Sequence, residues 1–302
     1  MAELLVVGSV ALDSVRTPFG KAEDVLGGSA TYFAYAASFF TQVRLVAVVG
    51  ADFPQAYLEL LARRGVDLGG FQVSAGQTFR WAGEYGYDLN EAKTLDTRLG
   101  VFADFRPTLP AHFRTTPFLF LANIDPELQL DVLRKVERPR LVALDTMNFW
   151  IQGKREALLR VLAEVDALML NDAEARMLAQ EPNLIKAARR TLAYGPKTVV
   201  VKRGEYGALM ATDGRFFFAP AFPLESVFDP TGAGDTFAGG FMGALARAGT
   251  VDEASFRRAI VYGSVLASFT VEDFSLSRLI RLDPAEIEER YRGFQEMMRF
   301  EH

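Results

Sequence analysis

Six short runs of β-branched and aliphatic residues punctuate this chain: "LLVVG" (4–8), "VRLVAVVG" (43–50), "FLFLAN" (118–123), "RLVALD" (140–145), "ALMLN" (167–171) and "TVVVKRG" (198–204). Most are apolar on successive residues and not only on alternate ones, the pattern of a strand buried on both faces. Amphipathic stretches at 53–64, 126–136, 151–163 and 183–194 lie between several of them. Buried strands separated by helices restrict the chain to an α/β architecture with a mostly parallel sheet and helices on both sides. After residue 231 the pattern becomes mainly helical, over 232–249, 251–271 and 284–299. Half of the 302 residues are hydrophobic, enough core for one unit expected to span 1–302.

One segment departs from this rhythm. In "TFRWAGEYGYDLNEAKTLDTRLGVF" (78–102), Phe79, Trp81, Tyr85, Tyr87 and Leu89 fall on alternate positions, with Arg80, Glu84 and Asp88 between them. After a turn at Asn90-Glu91, Leu95 and Leu99 continue the apolar side. This period-two hairpin needs something beneath it, because an isolated hairpin is marginal in water. It is expected to pack on its own domain, to form a lid over a ligand, or to clasp a second subunit; the lid is placed at 71–103.

Composition removes several kinds of chemistry. Net charge is −5 with no basic block, so a nucleic-acid partner is not expected. Cysteine is absent, which excludes disulfides, thiolate zinc sites and cysteine nucleophiles and suits a reducing cytosol. The N-terminal "MAELLVVGSVALDSV" lacks the basic segment and longer apolar stretch of a signal peptide, and no run approaches the ~20 apolar residues of a membrane helix. A cytoplasmic location is therefore expected. The histidines are His112 and His302, and no G-x-S-x-G elbow accompanies them. Chemistry must come from carboxylates, amides and backbone N–H groups, with or without a hard metal ion.

Polar residues collect where the strands end. Asp13 follows the first run, Asn123 and Asp145 end two others with Asn148 close behind, and Asn171 ends a fourth. Each alone could be a cap or turn residue. Together they matter more, since strand ends of one parallel sheet converge on one crevice. Glu174, three residues after Asn171, has capping-box spacing; the same pair could hold the waters of a magnesium ion.

The string "DPTGAGDTFAGGF" (229–241) opens a helix whose Phe237, Phe241 and Leu245 recur at helical spacing. Asp235 then falls in the first turn, where backbone N–H groups lack partners and the dipole is positive. Gly232, Ala233 and Gly234 let another group approach, which makes an anion hole. A carboxylate there makes sense if Asp235 takes a proton from a hydroxyl while the amides hold the phosphoryl group that the hydroxyl attacks. A P-loop is excluded, because Gly20-Lys21 is followed by alanine and Val15 stands at the first glycine position. A dinucleotide fingerprint fails on Phe237, which replaces its last glycine.

This string closely resembles the C-terminal signature of the ribokinase-like (PfkB) carbohydrate kinases. The resemblance extends from about Leu4 to Leu279 and includes "GSVALD", Gly27-Gly28, "VVGAD" (48–52), "NDAE" and "VKRGEYGA". It implies a ribokinase-like three-layer α/β/α sandwich with a β-hairpin lid, ATP and Mg2+ as cofactors, and a homodimer through the lid. On matching positions it makes Asp235 the base and Gly232, Ala233 and Gly234 the anion hole. Asp13, Gly27 and Gly28 would bind acceptor hydroxyls, and Asn171 and Glu174 would support magnesium and phosphate. Lys202, Arg203, Gly204 and Gly207 would lie near the nucleotide, and Asp229 and Thr231 match a site for K+ in some members. There are departures. Tyr32 stands where asparagine is common, which suggests a different or bulkier acceptor, and "LDTMNFW" lacks the arginine of a D-x-N-x-R string while keeping Asp145 and Asn148. Phe79 and Trp81 could stack on a sugar or a nucleobase. The expected activity is ATP-dependent phosphorylation of a primary hydroxyl of a small sugar or polyol. A nucleoside kinase of the same fold is the alternative, and a sensor without turnover the second.

Overall fold

The computed structural model describes residues 3–300. Its strands are β1 (Leu4–Val7), β2 (Ala11–Thr17), β3 (Gly20–Gly27), β4 (Val43–Gly50), β5 (Val66–Ser74), β6 (Phe79–Tyr85) and β7 (Ala92–Arg98), followed by β8 (Phe118–Leu121), β9 (Leu141–Asp145), β10 (Ala167–Asn171), β11 (Thr198–Lys202), β12 (Ala208–Thr212) and β13 (Arg215–Ala219). The helices are α1 (Ser29–Ala37), α2 (Gln55–Arg63), α3 (Pro126–Lys135), α4 (Asn148–Gly153), α5 (Arg155–Leu162), α6 (Asp172–Ala179), α7 (Leu184–Leu192), α8 (Ala233–Ala248), α9 (Glu253–Thr270), α10 (Ser277–Ile280) and α11 (Pro284–Met297).

Among the described residues a nine-stranded sheet has the order β13-β12-β11-β10-β9-β8-β1-β4-β5. It is parallel from β5 through β11, and the β12–β13 hairpin adds an antiparallel edge. Alternate residues of β1 enter different cores, as a strand covered on both faces requires. Leu4 and Val6 pack with residues of α1, α8, α9 and α11, whereas Leu5 and Val7 pack with α3, α5 and α6. Three layers result. Helix starts carry local signals: Asp125 accepts the Glu127 N–H before Pro126, and Asp283 with Glu286 forms a capping box on α11. No helix among the described residues is long and apolar enough to cross a membrane.

A second sheet, β3-β2-β6-β7, stands off the first. The 78–102 hairpin supplies only half of it, because β2 runs parallel to β6 and brings β3 with it. Residues 71–74, the start of the expected lid segment, instead belong to β5, which closes the edge of the large sheet against β4. The four strands give the hairpin the partners that a two-stranded ribbon lacks. Its root is fixed by Asp52, just past β4, which accepts from the N–H and hydroxyl of Thr78 (both 2.7 Å) and from Arg80 (2.7 Å).

The aromatic row is only partly realised. Phe79 stacks on Phe102, which stacks on buried Phe105, so it roots the lid in the core. Tyr87 lies past the strand and is 90 % exposed. Leu95 does not continue the row, because a register shift opposite Ala82 and Gly83 takes it out of the pairing.

Candidate active site

The carboxyl ends of the parallel strands bring Asp145, Asn171 and Lys202 together, the first two as their strand-end placement predicts and the third as the resemblance implies. Buried Gln129 of α3 staples two of these ends, donating to the carbonyls of Ala122 (2.9 Å) and Asp145 (3.0 Å). Sequence reasoning missed this residue, since a glutamine on an amphipathic helix reads as its solvent face.

The signature forms a tight turn into α8. Asp229, 1 % exposed, accepts the N–H of Thr231 (2.9 Å) and of Ser275 (3.3 Å), which pins the turn to the segment after α9. Gly232 caps the helix in the left-handed region (φ 74°), and a Cβ there would stand 2.5 Å from ring carbons of Tyr32. Only glycine meets both demands. The Ala233 N–H donates to the Pro230 carbonyl and that of Thr236 to Gly232, so Gly234 and Asp235 carry the amides without an intrahelical acceptor.

Asp235 keeps an open edge, yet the walls of the cleft strip water from it. This desolvation, reinforced by the Asp145 charge and opposed by Lys202, pushes its pKa up to about 7. Glu174 is also pushed to about 7, by burial first and then by Asp145. Its box with Asn171 is real: Asn171 accepts the Glu174 N–H at 2.8 Å, and Glu174 accepts the Asn171 N–H at 2.7 Å. The cap therefore fixes the carboxylate whose charge faces the cleft. Lys202 donates to Asp145 at 2.8 Å, with 17 % and 5 % of the two side chains exposed. Among the described residues no three metal-ligating side chains converge on one point.

On the lid side, Asp13 is buried, accepts the Gly28 N–H (3.3 Å), and lies where a Cβ on Gly27 would collide with its carboxyl. Burial pushes its pKa up to about 7 against that hydrogen bond, with Asp235 and Asp229 adding to the rise. Trp81 is the register partner of Asp13; its ring lies over Gly83, and its indole donates to Thr94 (3.2 Å). Tyr32 is 1 % exposed and packs behind the turn, so its ring serves the core. Burial, then Asp13 and Asp229, push its phenol well up. Asn123 is occupied by the Trp150 indole (2.9 Å) and by Met147, and Asn148 is exposed and accepts the Phe149 N–H. Tyr85 belongs to the site although sequence reasoning gave it no role there: Thr231 donates to its phenol oxygen at 3.3 Å, joining lid to signature turn. Its place in the aromatic row was the available signal.

Beyond β11, Arg203 lies over the exposed ring of Tyr206, and the Arg203 N–H donates to the Gly207 carbonyl (2.8 Å). A Cβ on Gly204 would stand 2.5 Å from the Asn90 amide oxygen, so the lid tip reaches this loop. A separate cavity of about 460 Å3 lies at the opposite ends of the strands, where Lys197 pairs with Asp166 and Glu253 with Arg215. It holds none of the residues above.

A family model described as "pfkB family carbohydrate kinase" matches residues 1–280. The chain belongs to this family. A cytidine kinase of Thermococcus kodakarensis is 31 % identical to this pfkB-family kinase over 259 residues, covering 84 % of this chain and 92 % of the relative. The nucleoside kinase of Methanocaldococcus jannaschii superimposes with a TM-score of 0.77 at 21 % identity, covering 97 % of this chain and 99 % of that one. The nucleoside kinase of Burkholderia thailandensis, in complex with inosine, gives 0.76 at 20 % identity, with 96 % and 97 % covered. These structures share the ribokinase-like fold that the sequence predicts for this pfkB-family kinase.

Proposed function

We propose that this kinase transfers the terminal phosphoryl group of ATP to a primary hydroxyl of a nucleoside, with Asp235 as general base. The observation that carries the reading is a carboxylate with a pKa of about 7 in the first turn of α8, beside amides that have no helical acceptor. A base poised near neutrality can take the hydroxyl proton, while Gly234 and Asp235 amides and the helix dipole hold the phosphoryl oxygens. Asp13 binds hydroxyls of the acceptor. The nucleoside assignment is supported by Trp81 on the Asp13 side of the lid and by the relatives' activities.

Magnesium suits the residues present. Asp145, Glu174 and Asp235 crowd negative charge around Lys202, and one carboxylate with water and phosphate oxygens meets the ion's needs. Glu174 and Asn171 would hold it through water, and it would neutralise charge on the phosphates. Asp229 and Thr231 would hold a potassium-type ion, with Asp273 adding negative charge nearby. A homodimer through the lid is part of this reading, with β7 exposed at every residue; light scattering tests it.

A second reading, a free sugar or polyol acceptor, is favoured by the Thr231–Tyr85 contact, which brings the lid low over the site. ADP release with nucleosides, sugars and polyols, with Asp235→Asn as control, decides between them. Turnover with cytidine or another nucleoside supports the first reading, and sugars alone would replace it with the second. Tight binding without turnover across the panel would leave a sensor.

A further inference from the structure

Lys202 is the buried cation nearest the signature turn, and its surroundings define more than a structural ion pair. Its ammonium donates to Asp145 at 2.8 Å, and a Cβ on Gly234 would stand 3.0 Å from the same nitrogen. Gly234 has no positive φ, so the backbone does not demand glycine there. The lysine does. Three carboxylates, of Asp145, Glu174 and Asp235, act on the ammonium, one from each of β9, α6 and α8. A buried ion pair is seldom the most stable use of such a position, since an apolar pair of similar volume often does as well. A charge retained beside an anion-binding turn points to an anion that arrives there.

Building on the kinase reading, we propose that Lys202 is a catalytic cation. On donor binding its ammonium turns from Asp145 to the transferring phosphoryl group above Gly234. Asp145 is the positioning residue that holds it there beforehand. In the step itself the acceptor oxygen bonds to phosphorus as the bond from phosphorus to the leaving oxygen breaks. That electron pair departs on ADP, the hydroxyl proton passes to Asp235, and Lys202 keeps all of its protons, giving only charge-assisted hydrogen bonds. Lys202 is thus assigned to the terminal phosphate and not to the base or ribose of the nucleotide.

The test compares magnesium complexes of ADP and of a non-hydrolysable ATP analogue by calorimetry. The proteins are the wild type, Lys202→Met, and the double variant Asp145→Asn with Lys202→Met. The double variant also removes the carboxylate that Lys202 hydrogen-bonds, should the single one fail to fold. The preference of the wild type for the analogue over ADP should fall about tenfold or more in both variants, with ADP affinity held within about twofold. The kcat should fall about a hundredfold or more, with little change in acceptor KM. An unchanged preference, or equal weakening of both nucleotides, overturns the assignment. Failure of the kinase reading looks different. A wild type that binds neither nucleotide overturns both, whereas full turnover by Asp235→Asn removes the base and leaves the Lys202 result standing.

Discussion

The α8 wall of the cleft and the lid wall meet where Thr231 donates to Tyr85, but they are anchored differently. In α8 every residue from Thr236 to Ala246 is buried, and the helix presses so closely on α1 that a Cβ on Gly239 would stand 2.4 Å from the Phe33 carbonyl oxygen. In the lid, β7 is exposed along its whole length, and the sheet is held at its root by Asp52 and the Phe79–Phe102 stack. Reacting groups need positions fixed to a fraction of an ångström, whereas a surface that admits and releases an acceptor must be cheap to lift. Chemistry is assigned to the tightly packed wall and selection to the looser one.

Asp235→Asn should break the α8 side outright, lowering kcat by about 10³-fold in a coupled ADP assay. In the wild type, kcat/KM should climb about tenfold per pH unit and level off near pH 7, because the base works only when deprotonated. Stability should run the other way. Asp13, Glu174 and Asp235 are each raised from 3.8 or 4.5 to about 7, so each binds a proton more readily folded than unfolded. Their favourable contribution is complete below about pH 4 and is lost as pH rises to about 7. Thermal melts of Asp235→Asn should therefore lose less stability between pH 5 and pH 8 than the wild type, a comparison that fails if the two curves stay parallel.

Packing gives the next contrast. Gly232→Ala forces a non-glycine residue to positive φ against Tyr32 and should cost about 1–3 kcal/mol in denaturant unfolding. Leu95→Ala, on the lid, should stay within about 0.5 kcal/mol. Equal losses would erase the distinction between the walls. Trp81→Ala should raise the KM for a nucleoside about tenfold while leaving the melting curve nearly unmoved. The smallest effect is expected from Tyr85→Phe, which removes one hydroxyl contact and should raise acceptor KM about two- to threefold in the same assay.

Much of this was legible in the chain. The six apolar runs became β1, β4, β8, β9, β10 and β11, since burial on both faces leaves an unmistakable composition. Asp145 and Asn171 were placed by strand ends and Asp235 by a helix start, all local signals, whereas Lys202 entered only through the family resemblance. What escaped depends on distant partners. Nothing near residues 11–27 says that β2 will pair with β6 across some 70 residues of chain, or that Asn123 will be taken by Trp150. Tyr32 was drawn to the pocket by the resemblance, at a position where asparagine is common, whereas its ring is buried against Gly232. The contact of Lys202 with Asp145 spans 57 residues and has no sequence signature.

The position of β1 carries a consequence for how the molecule is made. Residues 4–7 form an interior strand flanked by β4 and β8, so their second neighbour does not exist until residue 121 has been synthesised. Until then the growing chain keeps that flank of β1 open. Trimming those four residues would split the finished sheet through its middle, whereas loss of β13 would merely narrow it.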